Sequence, residues 1–415
     1  SKKFIRNIFT VAGGSVLSQA IPIGLLPILT RIYTPEEFGT LAVFLALFSI
    51  LSAFVTGRYE MAIMLPDQEN DSLSIFQLSI IFSLFFSLLL SVVIFSFSQE
   101  IANFFNSNEL GPWLYFLPFS VLMAGIFQSF NYWLNRNKKF NQIAIGKIVL
   151  GSFTGIAQLM IRIISKISGG LIIGYLVGQL SSIIYFYLKV FRKGSRKFSS
   201  IDINRIYKNA IFYKRFPLIS SFTSILDRSA VQMPILIISK FFDQASTGIF
   251  STLTRFLDAP FAILNSSISL VLHQRVVAIS KEEPDELQKL IFKLYLSLIC
   301  LTAPFIIFVY FFGTELFTIL LGQSWGDVGD LAFLVIIVVG YRFCVSPLSS
   351  VLSLRNTLHI GAYWQGLYFL SISITLFLLR NFELSDFLFY FMIHELILYS
   401  LYLCFILYGC KYSKN

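Results

Sequence analysis

The segment LSIFQLSIIFSLFFSLLLSVVIFSFS runs from residue 73 to residue 98 without a charged side chain. A helix of this length rises about 1.5 Å per residue and exceeds the roughly 30 Å of hydrocarbon in a bilayer. Similar apolar runs recur along all 415 residues, of which 56% are hydrophobic and 13% charged. A soluble domain is closer to a quarter charged, and the alternating ten-residue segments of a membrane β-barrel do not appear. The sequence therefore predicts an all-α polytopic membrane protein.

About twelve runs have the length of a transmembrane helix, six on each side of a long basic loop. They cover approximately residues 8–29, 39–63, 73–98, 112–134, 143–165, 169–190, 216–240, 246–275, 288–312, 330–353, 359–380 and 385–409. We therefore predict an N-terminal six-helix lobe at 1–190, a cytoplasmic linker at 191–215 and a C-terminal six-helix lobe at 216–415, with the lobes around a central cavity. A weak repeat supports this division, because PILTRIYTPEEFGTLAVFLALF from Pro27 resembles PILIISKFFDQASTGIFSTLTRF from Pro234. Parallel repeats of this kind occur in two-lobed transporters.

The linker is basic, and its second part has one apolar helical face formed by Ile203, Ile206, Tyr207, Ala210 and Ile211. This pattern is typical of a helix that lies on the cytoplasmic membrane surface. A disordered basic linker is the alternative.

The basic residues predict the orientation of the chain. If the N-terminus is cytoplasmic, 23 lysines and arginines fall on the inner side and five on the outer side. Cytoplasmic loops of membrane proteins are enriched in these residues, so we expect both termini of this multi-pass membrane protein in the cytoplasm. The net charge of +10 follows mostly from this topology, and no nucleic-acid partner is implied.

Ionisable residues inside the predicted spans are the candidate functional groups. Arg255, Asp258 and Asn265 share one face of the eighth span, and the spacing of three allows Arg255 to pair with Asp258. Asp227 and Arg228 are adjacent in the seventh span. On a helix, neighbouring side chains project in directions about 100° apart, so the two cannot simply face each other.

Further candidates come from the tenth span and from the first half of the chain. They are Arg342, Gln19, Glu60, Arg31 and Arg58. A charge near the middle of a span costs at least about 2.5–3.5 kcal/mol, so it should face protein or water. One interpretation is an internal network of ion pairs, Arg255 with Asp258 and Asp227 with Arg342. We favour a hydrated cationic cavity that receives an anionic head group, because the arginines outnumber the aspartates. Asp227, Asp258 and Glu60 are candidates for ion coupling.

Several chemistries are disfavoured by the motifs. No GxxxxGK[ST] motif occurs, and HELIL at His394 lacks the second histidine of a zinc-binding HExxH. We predict no metal site and no cofactor. The predicted outer loops are too short to carry the catalytic groups of a membrane polymerase, so a transporter is expected rather than an enzyme.

Two motifs resemble the N-terminal signature of Wzx-type polysaccharide flippases, within the multidrug/oligosaccharidyl-lipid/polysaccharide exporter superfamily. They are LTRIYTPEEFG at Leu29–Gly39 and RYEMAIMLP at Arg58–Pro66, and YKRFPLISSFTSILDRSAVQMPILII resembles the seventh span of that family. The resemblance implies a flippase that moves undecaprenyl-pyrophosphate-linked oligosaccharide to the outer leaflet of a bacterial inner membrane, for O-antigen, capsule or exopolysaccharide synthesis. It implies a cationic cavity for the pyrophosphate, contact with membrane lipids, and possible partnership with polysaccharide polymerase and chain-length proteins.

Three alternatives stay open at the level of sequence. A multidrug exporter of the same superfamily is expected to carry an acidic residue in its first span, and none occurs between Ile8 and Thr30. A lipid II flippase is closer, although such proteins commonly have two further spans. A membrane glycan polymerase is the third alternative.

Overall fold

Helices account for all the regular secondary structure in the described part of the chain. The structure is a computed structural model that describes residues 2–165, 167–191, 202–282, 284–325, 328–354 and 357–412. Contacts divide it into two compact units, Ser1–Ala245 and Ser246–Asn415. The first unit contains α1 (Lys2–Ile32), α2 (Pro35–Ser52), α3 (Tyr59–Ala62), α4 (Glu69–Phe104), α5 (Leu110–Leu114), α6 (Leu117–Arg136), α7 (Phe140–Ser165), α8 (Gly170–Phe191), α9 (Ile203–Phe212) and α10 (Ser221–Phe241). At the boundary begins α11 (Gln244–Glu282), followed by α12 (Pro284–Leu321), α13 (Val328–Val345), a 3-10 helix at Ser346–Ser353, α14 (Leu358–Leu379) and α15 (Leu384–Tyr412).

Nine helical segments in the described ranges are long and apolar enough to cross a membrane. The three other predicted spans correspond to α1, α10 and α11, which are also helical. Their hydropathy is lowered by polar side chains such as Arg228 and Asp258, and α1 contributes a shorter apolar helix at Val16–Ile32. The predicted class, an all-α polytopic membrane protein, is confirmed.

The segment YTPEEFG contains the start of α2. Thr34 accepts a hydrogen bond from the backbone N–H of Glu37 at 3.4 Å, and the Glu37 carboxylate accepts one from the N–H of Thr34 at 2.8 Å. This reciprocal capping box satisfies two amide groups that no helical carbonyl can reach, and Pro35 needs no such partner because it has no N–H. The loop therefore turns into the second span at a fixed residue.

Gly39 lies in the first turns of α2, where another segment of the backbone approaches closely. A Cβ atom at this position would collide with the backbone carbonyl of Gln244. Only glycine allows this approach without a displacement of one of the two segments.

The predicted span 39–63 is broken in the structure. Helix α2 ends at Ser52, turns follow, and the chain resumes a helical course only in the four residues of α3. Gly57 and Arg58 have φ angles of 58° and 59°, in the left-handed region. This conformation is easy for glycine and unfavourable for arginine, so contacts of the Arg58 side chain have to hold it in place.

Helix α10 belongs to the first compact unit. Gln232 lies 3.5 Å from the hydroxyl of Ser49, and the Ser239 hydroxyl donates to the carbonyl of Phe105 at 2.8 Å. Asn106 donates to the carbonyl of Lys240 at 2.7 Å. The predicted lobe boundary precedes this helix and the compact units divide after it. The assignment of 1–190 and 216–415 to two six-helix lobes stays a prediction.

The linker prediction falls partly outside the described residues, because 192–201 are not among them. The remainder forms α9, which Asp202 caps by accepting from the N–H of Arg205 at 3.1 Å. One side of α9 is attached to the first unit: Asn209 donates to the Ser74 hydroxyl at 2.6 Å, and Tyr59 donates to the carbonyl of Ala210 at 3.1 Å. The other side exposes apolar side chains, Tyr207 among them. Its contact with a membrane surface stays a prediction.

Candidate functional site

The first unit holds a polar cluster at the break between α2 and α3. The Glu60 side chain is fully buried, and its Oε1 lies 3.6 Å from Nη1 of Arg58. The hydroxyl of Thr56 donates a hydrogen bond to the other carboxylate oxygen. Nε of Arg58 donates to the Ser224 hydroxyl on α10 at 2.9 Å, and Nη2 contacts the same oxygen.

These contacts engage all three nitrogens of the Arg58 guanidinium. Its position is set by the left-handed backbone on one side and by α10 on the other. The sequence analysis predicts Arg58 in a cationic substrate cavity and Glu60 as a candidate for ion coupling there. The geometry shows that they connect the broken second span to α10.

The second unit brings together Arg342 on α13 and Asp258 on α11. Nη2 of Arg342 donates to both carboxylate oxygens of Asp258, at 2.6 and 2.7 Å. The sequence predicted Arg255 as the partner of Asp258, through the spacing of three. The ion pair that the structure shows for Asp258 crosses between two helices instead.

Arg342 keeps unused hydrogen-bonding capacity. Among the described residues, its Nε and Nη1 groups donate to no protein acceptor, and 29% of its side chain is exposed. A guanidinium carries five N–H donors in a planar fork that matches the oxygens of phosphate groups. Arg342 can therefore bind an anion on one edge while Asp258 occupies Nη2.

The other predicted residues lie on exposed or partly exposed helix surfaces. Asp227 and Arg228 are both exposed on α10, and neither forms an ion pair within the described residues. Arg255 is exposed on α11. Gln19 is exposed, Arg31 donates to the carbonyl of Pro27 at 3.5 Å, and Asn265 accepts from the Ser269 hydroxyl at 2.9 Å.

One buried group was missed as a candidate by the sequence analysis. Glu395 on α15 is 3% exposed and accepts a hydrogen bond from the Tyr368 hydroxyl at 3.1 Å. Its neighbour His394 lies 2.8 Å from the Ser371 hydroxyl. The rule that an ionisable residue inside a span is a functional candidate applies to Glu395 as much as to Asp258.

Arg162 on α7, which was not among the predicted site residues, fixes the loop between α1 and α2. Arg162 donates from Nε to the carbonyl of Ile32 at 2.7 Å and from Nη1 to Glu37 at 3.0 Å, and its guanidinium carbon lies 4.8 Å from the centre of the Tyr33 ring. The Tyr33 hydroxyl donates to the carbonyl of Gln158 at 2.7 Å. Burial raises the pKa of Tyr33 to about 12, although the positive charge of Arg162 acts in the opposite direction. The motif LTRIYTPEEFG thus holds the loop between α1 and α2 against α7.

Comparison with known proteins places these features in a family. A family model described as "Polysaccharide biosynthesis protein" matches residues 28–330. The teichuronic acid biosynthesis protein TuaB of Bacillus subtilis is 23% identical over 292 residues, which are 70% of this chain and 59% of that protein. The succinoglycan biosynthesis transport protein ExoT of Rhizobium meliloti is 21% identical over 374 residues, 88% of this chain and 72% of that protein. The match to TuaB thus spans less than two thirds of its length.

Solved structures show the same fold at low sequence identity. The lipid II flippase MurJ in an inward closed conformation superposes with a TM-score of 0.72 at 16% identity, covering 97% of this chain and 87% of that one. An inward-facing multidrug resistance MATE family transporter of the MOP superfamily gives a TM-score of 0.68 at 11% identity, covering 98% and 95%. At such identities the likeness establishes the fold alone.

Proposed function

The chain belongs to the polysaccharide biosynthesis protein family, and from this premise we propose that it is a flippase for undecaprenyl-pyrophosphate-linked oligosaccharide. The cargo would pass from the cytoplasmic to the outer leaflet of a bacterial inner membrane. The names of ExoT and MurJ, a transport protein and a flippase, support this assignment.

The observation that carries the proposal is the Arg342–Asp258 pair. A pyrophosphate is a strong anion that hydrocarbon excludes, so a protein that moves it has to offer positive charge inside the membrane. Arg342 provides a guanidinium with two unengaged nitrogens and a partly exposed side chain. A bidentate contact with phosphate oxygens is the strongest hydrogen-bonded arrangement open to such a group.

Arg228 is the corresponding candidate in the first unit. Its side chain is exposed and forms no ion pair within the described residues. Arg58, whose three nitrogens are engaged by Ser224 and Glu60, acts as a positioning residue for α10. Under this proposal Arg31, Arg255, Gln19 and Asn265 contact other parts of the cargo.

Three other functions are the alternatives to this proposal. A multidrug exporter for organic cations is disfavoured, because Arg342 would repel its cargo. Lipid II also carries a pyrophosphate, so Arg342 does not separate it from other lipid-linked glycans. A polymerase would join lipid-linked repeats when the purified protein is mixed with them.

Polysaccharide polymerase and chain-length proteins are the partners we expect for a flippase.

The test combines genetics with matched arginine variants. Deletion of the gene should leave lipid-linked oligosaccharide on the cytoplasmic leaflet, where it is protected from periplasmic glycosidases in intact cells. Arg342→Gln and Arg228→Gln should each fail to restore surface polysaccharide at normal protein levels. Arg275→Gln changes an exposed arginine on α11 and should restore it fully. Normal polysaccharide with both site variants, or oligosaccharide already outside in the deletion strain, would overturn the proposal.

A further inference from the structure

A buried acid–base pair, His394 and Glu395, lies on α15 beside Tyr368 and Ser371 of α14. Oε2 of Glu395 accepts from the Tyr368 hydroxyl at 3.1 Å, but Oε1 is buried without a hydrogen-bond partner among the described residues. Nδ1 of His394 is likewise buried and unpartnered, while its Nε2 lies 2.8 Å from the Ser371 hydroxyl. These two unpartnered atoms face each other at 3.7 Å.

A single proton accounts for both unpartnered atoms. A buried acceptor and a buried ring nitrogen are each unfavourable without a partner. A proton placed between Oε1 and Nδ1 satisfies both atoms, because a movement of about 1 Å brings them to hydrogen-bonding distance. The side chains are 3% and 14% exposed, so water competes weakly for this position.

The charged and titratable groups around the pair come from three helices. Arg342 on α13 interacts electrostatically with Glu395, and Tyr368 on α14 and Tyr399 on α15 interact with both. Asp258 on α11 forms the ion pair with Arg342. Tyr295, on the neighbouring helix α12, interacts with Tyr341 instead.

We propose that His394 and Glu395 form a proton-binding site that controls the availability of Arg342. With one proton shared between them the pair is neutral, and Arg342 stays on Asp258. When the proton leaves to water, a negative charge develops on the Glu395 carboxylate and competes with Asp258 for the guanidinium. No covalent bond forms or breaks, and the only species transferred is the proton. The ligand of this site is thus a proton, and its binding changes which donors of Arg342 face an anionic cargo.

The role of this site in transport rests on the function proposed above, but the proton site itself does not. The chain has only three histidines, so nitrogen-15 labelling of histidine in the purified full-length protein gives few signals. His394→Gln identifies the signal of His394 by its loss. A pH titration then reports on the imidazole directly.

We expect Glu395→Gln to move the pH at which the His394 signal changes by about 1 unit or more, since an amide cannot share the proton as a carboxylate does. Glu383→Gln alters an exposed carboxylate just before α15 and should leave the signal unchanged. An infrared carboxyl band that shifts with pH and disappears in Glu395→Gln is the second expected result. A His394 titration that is identical in the wild type and in Glu395→Gln would overturn the proposal. If Glu395→Gln fails to fold, a pH-dependent change in the carboxyl spectrum that is identical in the wild type and in His394→Gln would overturn the proposal as well.

A transport assay separates this proposal from the previous one. In proteoliposomes with a lipid-linked pyrophosphoryl glycan, a pH gradient should change the wild-type rate, and Glu395→Gln should reduce that dependence at least tenfold. A proton titration as expected without any lipid transport supports the proton site and overturns the flippase assignment. If the transport rate of Glu395→Gln responds to the pH gradient as the wild-type rate does, the proposal that this site controls Arg342 is overturned.

Discussion

At the scale of single residues, the candidate arginines differ in how many of their guanidinium nitrogens contact other protein groups. Arg58 uses all three in contacts with Ser224 and Glu60, whereas Arg342 uses only Nη2. A sequence cannot make this distinction, because both arginines lie inside or at the end of an apolar run. Spacing along one helix also favoured Arg255 as the partner of Asp258, since i, i+3 contacts are visible in a sequence and contacts between helices are not.

The Arg342–Asp258 pair leads to a binding prediction. In Asp258→Asn, Nη2 is released and the guanidinium faces no competing carboxylate, so inorganic pyrophosphate should bind more tightly than in the wild type. The variant itself should lose only about 1 kcal/mol of stability, because both side chains are roughly one third exposed and screened by solvent. Thermal unfolding with and without pyrophosphate measures both quantities. Pyrophosphate stabilisation that persists in Arg342→Gln would contradict this role for Arg342.

Tyr33 leads to a prediction about alkaline pH. Its folded pKa of about 12 lies above the ordinary value of 10.0, so the neutral phenol favours the folded state. This contribution is complete below pH 10 and is lost as the pH rises towards 12. Tyr33→Phe removes the hydrogen bond to Gln158 and should cost about 1 kcal/mol at neutral pH. The difference in unfolding midpoint between the two proteins should shrink from pH 9 to pH 12, and a constant difference would contradict the assignment.

At the scale of helices, the break between α2 and α3 is the main departure from the predicted spans. The apolar run at 39–63 indicates one continuous helix, and the sequence marks its interruption only by Gly57. The break is held by Arg58 and Glu60, whose partners come from other parts of the chain. Helix α2 begins at Pro35, before the predicted start of the span at residue 39, because the local capping box at Thr34 sets its first turn. The polar cluster around Glu395 depends on Tyr368 and Ser371 from another helix, and hydropathy does not report such contacts.

Two glycines on neighbouring helices give a matched comparison. Gly39→Ala places a Cβ atom against the backbone carbonyl of Gln244, so one segment has to move. We expect a loss of about 1–3 kcal/mol, in the range of other overpacked sites. Gly24→Ala on α1 meets nothing within 4 Å and should be neutral or slightly stabilising, because alanine favours a helix. Equal unfolding temperatures for the two variants would show that the close approach at Gly39 does not contribute to stability.

At the scale of the whole molecule, the transmembrane helices were accessible from the sequence, whereas their direction stays a prediction. Length and hydropathy are sufficient for most helices, and the 23-to-five distribution of basic residues predicts the orientation. The grouping of the helices into two lobes stays a prediction. The sequence divides the spans six and six at the basic linker, whereas contacts group α10 with the first unit.

Reporter fusions test the orientation. An alkaline phosphatase fusion after Lys197 or at the C-terminus should be inactive, because both points are predicted to be cytoplasmic. A fusion after Asn108 lies in a predicted outer loop and should be active. Activity at Lys197 would reverse the predicted topology and the numbering of the spans.

The membership of α10 in the first unit has a consequence for biogenesis. Ribosomes deliver transmembrane helices in order, and Arg58, Ser49 and Phe105 are synthesised long before their partners on α10 and at Gln244. Until Ser224 has been made, Nε and Nη2 of the Arg58 guanidinium lack the hydroxyl that they contact in the folded protein. The insertion machinery therefore has to shelter these polar groups until the seventh long hydrophobic segment arrives. A nascent chain that stalls in the linker would present them to the proteases of membrane quality control.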